Sequence, residues 1–323
     1  MLQKIKKEFT RIEKKLFRSG PKTKQIETLQ AAMDNLPYEL ADTRLRRTAK
    51  AYLPDIKTMD ETLEKLVRDR CSIARFGDGE FNVMNGSRIH FQDRSPVLAQ
   101  RLKEVIASDD PHLLVALVDT FGSLDHHTPP GIEFWRKWMA KKRAMIYSFL
   151  DRSRVYYNAL FTRPYAIFNK SEAHYNWCGG YFNRIKQLWA GRDVVICEGE
   201  GTRFGMFNDL LDGSKSVRRI LCPARSAFDK YDAILSAFDG INKDVLVLAA
   251  LGPTATVLAY DLCKKGFQAI DIGHLDVEYE WFLRKNETGG PLQFKYVDGS
   301  DEGRKVHKLE NSEYEKQIIK KIV

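Results

Sequence analysis

Long hydrophobic runs are missing from this 323-residue chain. The longest, VLVLAAL at 245–251, falls far short of the roughly 20 apolar residues that span a bilayer, so it reads as a buried strand. Cysteine is scarce: five residues, Cys71, Cys178, Cys197, Cys222 and Cys263, stand apart with no CxxC pair. That excludes a disulfide framework and a zinc cluster, and leaves them as small core hydrophobes. Neither GxGxxG nor GxxxxGK[ST] occurs, which removes support for nicotinamide chemistry and for P-loop hydrolysis. A compact apolar leader with a small-residue cleavage site is also lacking, because the first apolar residues are spaced among lysines. A cytoplasmic location, soluble or peripheral at the inner face of a membrane, is expected.

A basic stripe through the body is absent too. The formal charge is +9, but residues 1–24 hold nine Lys and Arg against two Glu, a balance of +7, which leaves +2 for the other 299 residues. Nucleic acid is therefore disfavoured as a partner. Hydrophobic residues at 43% and charged residues at 29% are ordinary for a globular domain, and the length suits one large α/β domain with an accessory piece.

What is present begins with a helical pattern. Leu2, Ile5, Phe9, Ile12 and Leu16 recur at spacings of three and four with lysines on the flanks, and SGP at 19–21 breaks the run before Ile26, Leu29, Met33 and Leu36 continue it. Two readings stand for this basic amphipathic extension over residues 1–57: packing against the main domain or a coiled coil, and contact with an anionic membrane surface or a protein partner. From Thr58 a capping box with Glu61 opens a helix. Short β-branched runs then alternate with helical patterns: CSIARF, LLVALVD, DVVICEG, VRRILCP, DVLVLAALG and QAIDIG. The pattern predicts an α/β fold, Rossmann-like, with a mostly parallel sheet covered on both faces over residues 58–300, followed by a helical tail over 301–323.

In such sheets ligands are met at the C-terminal strand ends. Five strand-end loops are polar or glycine-rich. RFGDGE sets Asp78 and Glu80 in a D-x-E triplet that, in an extended loop, turns two carboxylates to a common side; such hard oxygen donors suit Mg²⁺ or Mn²⁺ shared with a diphosphate, and the competing reading is a solvated acidic turn. LGPTAT carries a strand into a helix at Gly252, Pro253 and Thr254, a phosphate-binding geometry that is also a common junction. CEGEGTRFG offers Glu200 and Arg203 among glycines that permit close backbone approach to a ligand. VDTFG is the fourth. The fifth, DIGHLDVEYEW, places His274, Asp276, Glu278 and Glu280 in a short span. On a helix, Asp276 and Glu280 share a face at i,i+4, where like charges need a ligand, a metal or a proton for relief.

SIARFGDGEFNVMNG, ICEGEGTRFGMFNDLL, RILCPARSAFDKYDAIL and LVLAALGPTATVLAYDLCKKGFQAIDIGHLDVEYEW, in this order, resemble the bacterial glycosyltransferases of the GT-D fold, first catalogued as a domain of unknown function. The resemblance runs from about Thr58 to about Trp281 and does not reach the N-terminal extension. It implies a metal-dependent enzyme that moves a hexose from a UDP-sugar to a hydroxyl of a surface glycan, glycoprotein or lipid-linked saccharide. By that resemblance the metal falls on Asp78 and Glu80. Arg75, Gly77, Glu200, Arg203, Gly252, Pro253 and Thr254 would line the donor. Glu280, Asp276, Glu278 and His274 are the candidates for acid–base work beside the sugar. A homo-oligomer is compatible with the sequence. The rival reading is a non-catalytic nucleotide or phosphate-ligand sensor on the same sheet, with the acidic cluster as a cation site.

Overall fold

The structure, a computed structural model, describes residues 53–322 apart from 288 and 299–301, together with isolated positions between 26 and 40. The expected helix through Leu2, Ile5, Phe9, Ile12 and Leu16 lies outside the described residues; Ile26, Leu29, Met33 and Leu36 of the segment after it are helical. The chain divides into two compact units, Met1–Tyr52 with Ile132–Arg143, and Leu53–Gly131 with Ala144–Val323. The second unit carries the sheet.

Its elements are β1 (Asp55–Ile56), α1 (Met59–Asp69), β2 (Ser72–Phe76), α2 (Asp78–Met84), α3 (Pro96–Ala107), β3 (Leu113–Leu117), α4 (Pro129–Tyr147, which crosses into the other unit), β4 (Val155–Asn158), α5 (Glu172–Ile185), β5 (Asp193–Gly199), β6 (Ser216–Cys222), α6 (Tyr231–Ser236), β7 (Leu246–Ala250), α7 (Pro253–Lys264), β8 (Gln268–Asp271), α8 (Leu275–Leu283), α9 (Ser312–Gln317) and β9 (Ile318–Lys321). The strands form one sheet in the order β1-β4-β3-β2-β8-β7-β5-β6-β9. Every pairing is parallel. This is the α/β, Rossmann-like arrangement that the alternating apolar runs predict, since strands covered on both faces have no polar side to show.

Local chemistry sets the elements. Thr58 caps α1 reciprocally: the Glu61 amide donates to Thr58 Oγ1 at 3.1 Å and the Thr58 amide to Glu61 Oε2 at 2.8 Å. Pro253 occupies the first turn of α7, where its missing N–H costs nothing. Gly266 ends that helix in the left-handed region at φ +85°, its amide donating to the Cys263 carbonyl. Helix α7 is buried along nearly its whole length, which explains its lack of a polar face. All five cysteines are buried and unpaired by disulfides, so the core reading of them holds.

Three strands escape the sequence reading. β1 is two residues long. β4 carries the sequence VYYN, too short for a period. β9 sits where a helical tail is expected: among the described residues of 301–323 helix is confined to Ser312–Gln317, and Ile318–Lys321 pairs with β6 as an edge strand. Lysines at 320 and 321 suit an edge that discourages further pairing. No helix among the described residues is long and apolar enough to cross a membrane.

The topology positions the site. Strands β1 to β4 fill one side of the sheet and β5 to β9 the other, and the two halves meet where β2 pairs with β8 through Ile73 and Ile270. The loops leaving β2 and β8 therefore face each other at a topological junction, the place where open α/β sheets take ligands.

Candidate active site

Strand β2 ends at Phe76, and Gly77 in extended conformation caps α2. Asp78 is thus the first helical residue and Glu80 the third, not members of an extended loop. Two residues apart on a helix point about 200° from each other around the axis, so the D-x-E triplet does not turn both carboxylates to one side. Glu80 folds back and accepts from the Gly77 amide through Oε2 at 2.8 Å, the capping geometry also seen at Thr58 and Glu61. Burial raises the Asp78 carboxyl above its ordinary range; Arg163 opposes this and Asp298 adds to it. Burial pushes Glu80 further, to about 7, with the negative charge of Asp271 reinforcing the shift. Burial is the larger cause at both acids, and an arginine opposes it at each: Arg163 at Asp78 and Arg75 at Glu80.

Across the junction, Asp271 closes β8 and holds Arg75 of β2. Arg75 Nη2 lies 2.9 Å from Asp271 Oδ1, and its Nε donates to the Asp271 carbonyl at 2.8 Å. The Thr256 hydroxyl donates to Asp271 Oδ2 at 3.0 Å. Gly273 makes this packing possible: at φ +52°, a Cβ there would stand 2.0 Å from Arg75 Nη2. His274 follows as the cap of α8. Burial, with the charges of Arg163 and Arg75, lowers its imidazole to about 3, so the ring is neutral at physiological pH.

The three carboxylates on α8 are all buried, and each has partners. Glu278 Oε2 accepts from the amides of Tyr165 and Ala166 at 3.0 and 2.6 Å, and Oε1 lies 3.3 Å from Arg163 Nε. Asp276 and Glu280 do share a face, but an internal cation relieves their repulsion, where a ligand, metal or proton was expected. Lys295 Nζ lies 2.6 Å from Asp276 Oδ2 and 3.3 Å from Glu280 Oε1. Asn208 Nδ2 donates to both carboxylates at 2.8 Å, and Arg284 Nη2 reaches Glu280 Oε2 at 2.9 Å. Burial still raises the Asp276 carboxyl, with Lys295 opposing.

The loop after β5 is braced from below. Glu198 and Arg219, both fully buried, meet at 2.6 Å. Arg203 adopts φ +49° and its Nη1 donates to the carbonyls of Phe294 and His307 at 2.8 and 2.9 Å. Glu200 is exposed. Glu200 and Arg203 border an open cleft of about 650 Å³ beyond the ends of β5 and β6, shared with Arg225, Tyr296, Arg304 and Tyr314. Arg304 Nε in turn approaches Asp298 Oδ1 at 3.4 Å, which links the cleft wall to the surroundings of Asp78.

At the β7 junction Gly252 takes φ +55°, and a Cβ there would strike the Phe91 ring at 2.2 Å. The Ala255 amide already donates to the Gly252 carbonyl at 2.8 Å. Pro253 and Thr254 are buried, and the Thr254 hydroxyl has no hydrogen-bond partner among the described residues. Phe91 thus covers much of the turn that the sequence presents as a phosphate cradle.

The structure gathers Arg75, Gly77, Asp78, Glu80 and His274 at the β2/β8 junction, joins Asp276 and Glu280 in the Lys295 cluster, and leaves Glu200 and Arg203 at the cleft. Sequence reasoning missed Lys295, Arg219, Asp298 and Phe91. No local pattern marks a lysine in QFKYVDG as buried. The capping spacing of Gly77 and Glu80, by contrast, was readable. Among the described residues no group of three or more His, Cys, Asp or Glu is arranged to hold a metal ion.

A parallel sheet whose two halves meet at an acidic, arginine-flanked junction defines the class, a Rossmann-like α/β domain with its ligand site at the strand ends. The profile described as Glycosyltransferase GT-D fold matches residues 73–300. The chain belongs to the GT-D-fold glycosyltransferase family. It is 34% identical over 265 residues to the probable glycosyl transferase Gly of Streptococcus gordonii, covering 82% of this chain and 38% of that protein. To glycosyltransferase GlyD of Streptococcus pneumoniae it is 33% identical over 270 residues, covering 83% of this chain and 32% of that one. The chain therefore spans about a third of the length of these curated relatives. A solved structure described as a highly conserved domain of unknown function 1792 with a distinct glycosyltransferase fold superposes with a TM-score of 0.80 at 33% identity, covering 88% of this chain and all of that one.

Proposed function

We propose that this chain transfers a hexose from a UDP-sugar to a hydroxyl of a surface glycan, glycoprotein or lipid-linked saccharide, with Mn²⁺ or Mg²⁺ held at Asp78, while Glu80, turned back onto the Gly77 amide, stands behind it. The observation that carries the reading is the pair of buried carboxyls, Asp78 and Glu80, at the strand ends of the β2/β8 junction. Asp78 and Glu80 are carboxylates whose ionised forms are disfavoured by burial and by neighbouring Asp298 and Asp271. A divalent cation at Asp78 would favour the ionised carboxylates here, and a hard oxygen donor with a diphosphate completing the shell suits Mg²⁺ or Mn²⁺. When bound, the ion would neutralise charge developing on the leaving diphosphate. Asp78 is the freer donor, since Glu80 keeps one oxygen on the Gly77 amide.

The chain's own residues divide the remaining work. Arg75 is committed to Asp271 and shapes the junction. The cleft bordered by Glu200, Arg203 and Tyr296 has room for the nucleoside. Of the four residues considered for acid–base work, Asp276, Glu278 and Glu280 are occupied by cations and backbone amides, which supports a structural part for them. His274 remains: as a neutral imidazole it can accept a hydrogen bond from an acceptor hydroxyl and orient it. The basic segment 1–24 would bring the enzyme to an anionic membrane surface on the cytoplasmic side. Equal sedimentation with anionic liposomes of the full chain and of one lacking residues 1–24 would count against that location.

The deciding experiment is Mn²⁺-dependent hydrolysis across a panel of nucleotide sugars without acceptor, run on the wild type and on Asp78→Asn. Turnover of a UDP-sugar that vanishes in the variant supports the reading. Equal turnover of the two at saturating Mn²⁺ removes the metal from Asp78.

A further inference from the structure

We propose that Arg163 is the protein's own cation for the diphosphate of the donor, a substrate-contacting residue that works beside Asp78. The inference rests on the donor-site reading above and adds a residue to it.

Arg163 follows the 3-10 turn Ala159–Thr162 at the end of β4, two strands away from β2 in the sheet. Three contacts bring it to the junction. Its Nε lies 3.3 Å from Oε1 of Glu278, a carboxylate on α8 with no exposed surface. Oε2 of that carboxylate takes the amides of Tyr165 and Ala166, so the backbone just after Arg163 is fixed to the same helix. Arg75 Nη1 donates to the Ala159 carbonyl at 3.4 Å, which ties the start of the turn to the Arg75–Asp271 pair. The loop after β4 is thereby anchored to the residues that follow β2 and β8.

The two arginines at this junction are used differently. Arg75 spends Nε and Nη2 on Asp271 and Nη1 on Ala159. Arg163 spends Nε alone: its two Nη groups have no hydrogen-bond partner among the described residues, and the side chain is 38% exposed. A guanidinium held by one edge presents the other as a two-pronged donor, the geometry that matches phosphate oxygens. Its charge acts on Asp78 and on His274, so it stands within electrostatic reach of the proposed metal ligand and of the residue that would face the acceptor. A leaving diphosphate carries more negative charge than one divalent ion cancels, and a fixed arginine supplies the balance without reorganising.

The test is calorimetric titration of the full-length protein with UDP, UMP and inorganic pyrophosphate in the presence of Mn²⁺, on the wild type, Arg163→Ala and Arg163→Lys, with melting temperature as the folding check. Arg163→Ala is expected to weaken UDP and pyrophosphate by tenfold or more and UMP by much less. Arg163→Lys should fall between, because a lysine lacks the paired donors. Undiminished UDP and pyrophosphate binding by a folded Arg163→Ala overturns the inference, as does a wild type that does not bind pyrophosphate. The two readings fail separately: Arg163-dependent pyrophosphate binding without hydrolysis of any sugar nucleotide leaves the inference standing and removes the transferase reading. Hydrolysis of a UDP-sugar with unaltered UDP affinity in Arg163→Ala does the reverse.

Discussion

Lys295 Nζ sits 2.6 Å from Asp276 Oδ2, both side chains almost wholly buried, and the same ammonium lies 3.3 Å from Glu280 Oε1. One buried cation therefore serves two carboxylates that stand one helical turn apart on α8. Removing one member of such a group strands the others without compensation. Lys295→Met is expected to cost about 3–5 kcal/mol of folding stability near neutral pH. Adding Asp276→Asn and Glu280→Gln to that variant should recover most of the loss. Chemical denaturation of the single and triple variants checks both statements.

The metal-free protein should lose stability as pH rises through the titration of Glu80. Its folded carboxyl is raised from 4.5 to about 7, so the protonated form is favoured by folding. That contribution is fully present below pH 4.5 and is lost as pH climbs through 7. Thermal melts in chelator across pH 4.5–8, wild type minus Glu80→Gln, should show a difference on the order of 1–3 kcal/mol opening over that window. The glutamine keeps an oxygen for the Gly77 amide, so the cap survives. Saturating Mn²⁺ is expected to shrink the slope.

Gly273 has no room for a side chain. A Cβ would stand 2.0 Å from Arg75 Nη2, on a backbone already at φ +52°. Gly273→Ala should cost about 2 kcal/mol or more and displace Arg75 from Asp271. Equilibrium unfolding gives the first effect. A fall in UDP-sugar hydrolysis in the folded fraction gives the second.

Much of the fold was legible because its elements declare themselves locally. Six apolar runs became β2, β3, β5, β6, β7 and β8, and the Thr58–Glu61 spacing became a capping box. β4 and β9 were not legible, because VYYN and IIKK are made strands by neighbours far along the chain. The site divides in the same way. The acidic density of α8 was visible, but its meaning depended on Lys295, fifteen residues beyond Glu280 and unmarked by any period. A reading of D-x-E as a loop pair failed because Glu80 is the third residue after the cap Gly77, where a glutamate turns back to the backbone. Arg75 looked like a ligand-facing residue and is instead held by Asp271, a partner 196 residues away.

On the proposed reading, a divalent cation at Asp78 supports sugar transfer at the β2/β8 junction. Its most direct test is release of UDP from a UDP-sugar without acceptor, measured with and without Mn²⁺ on the wild type and on Asp78→Asn of matched melting temperature. Mn²⁺-dependent release by the wild type is expected, with a loss of two orders of magnitude or more, about 2.7 kcal/mol, in the variant. Full turnover by Asp78→Asn at saturating Mn²⁺, or no release by the wild type from any UDP-sugar, would contradict it.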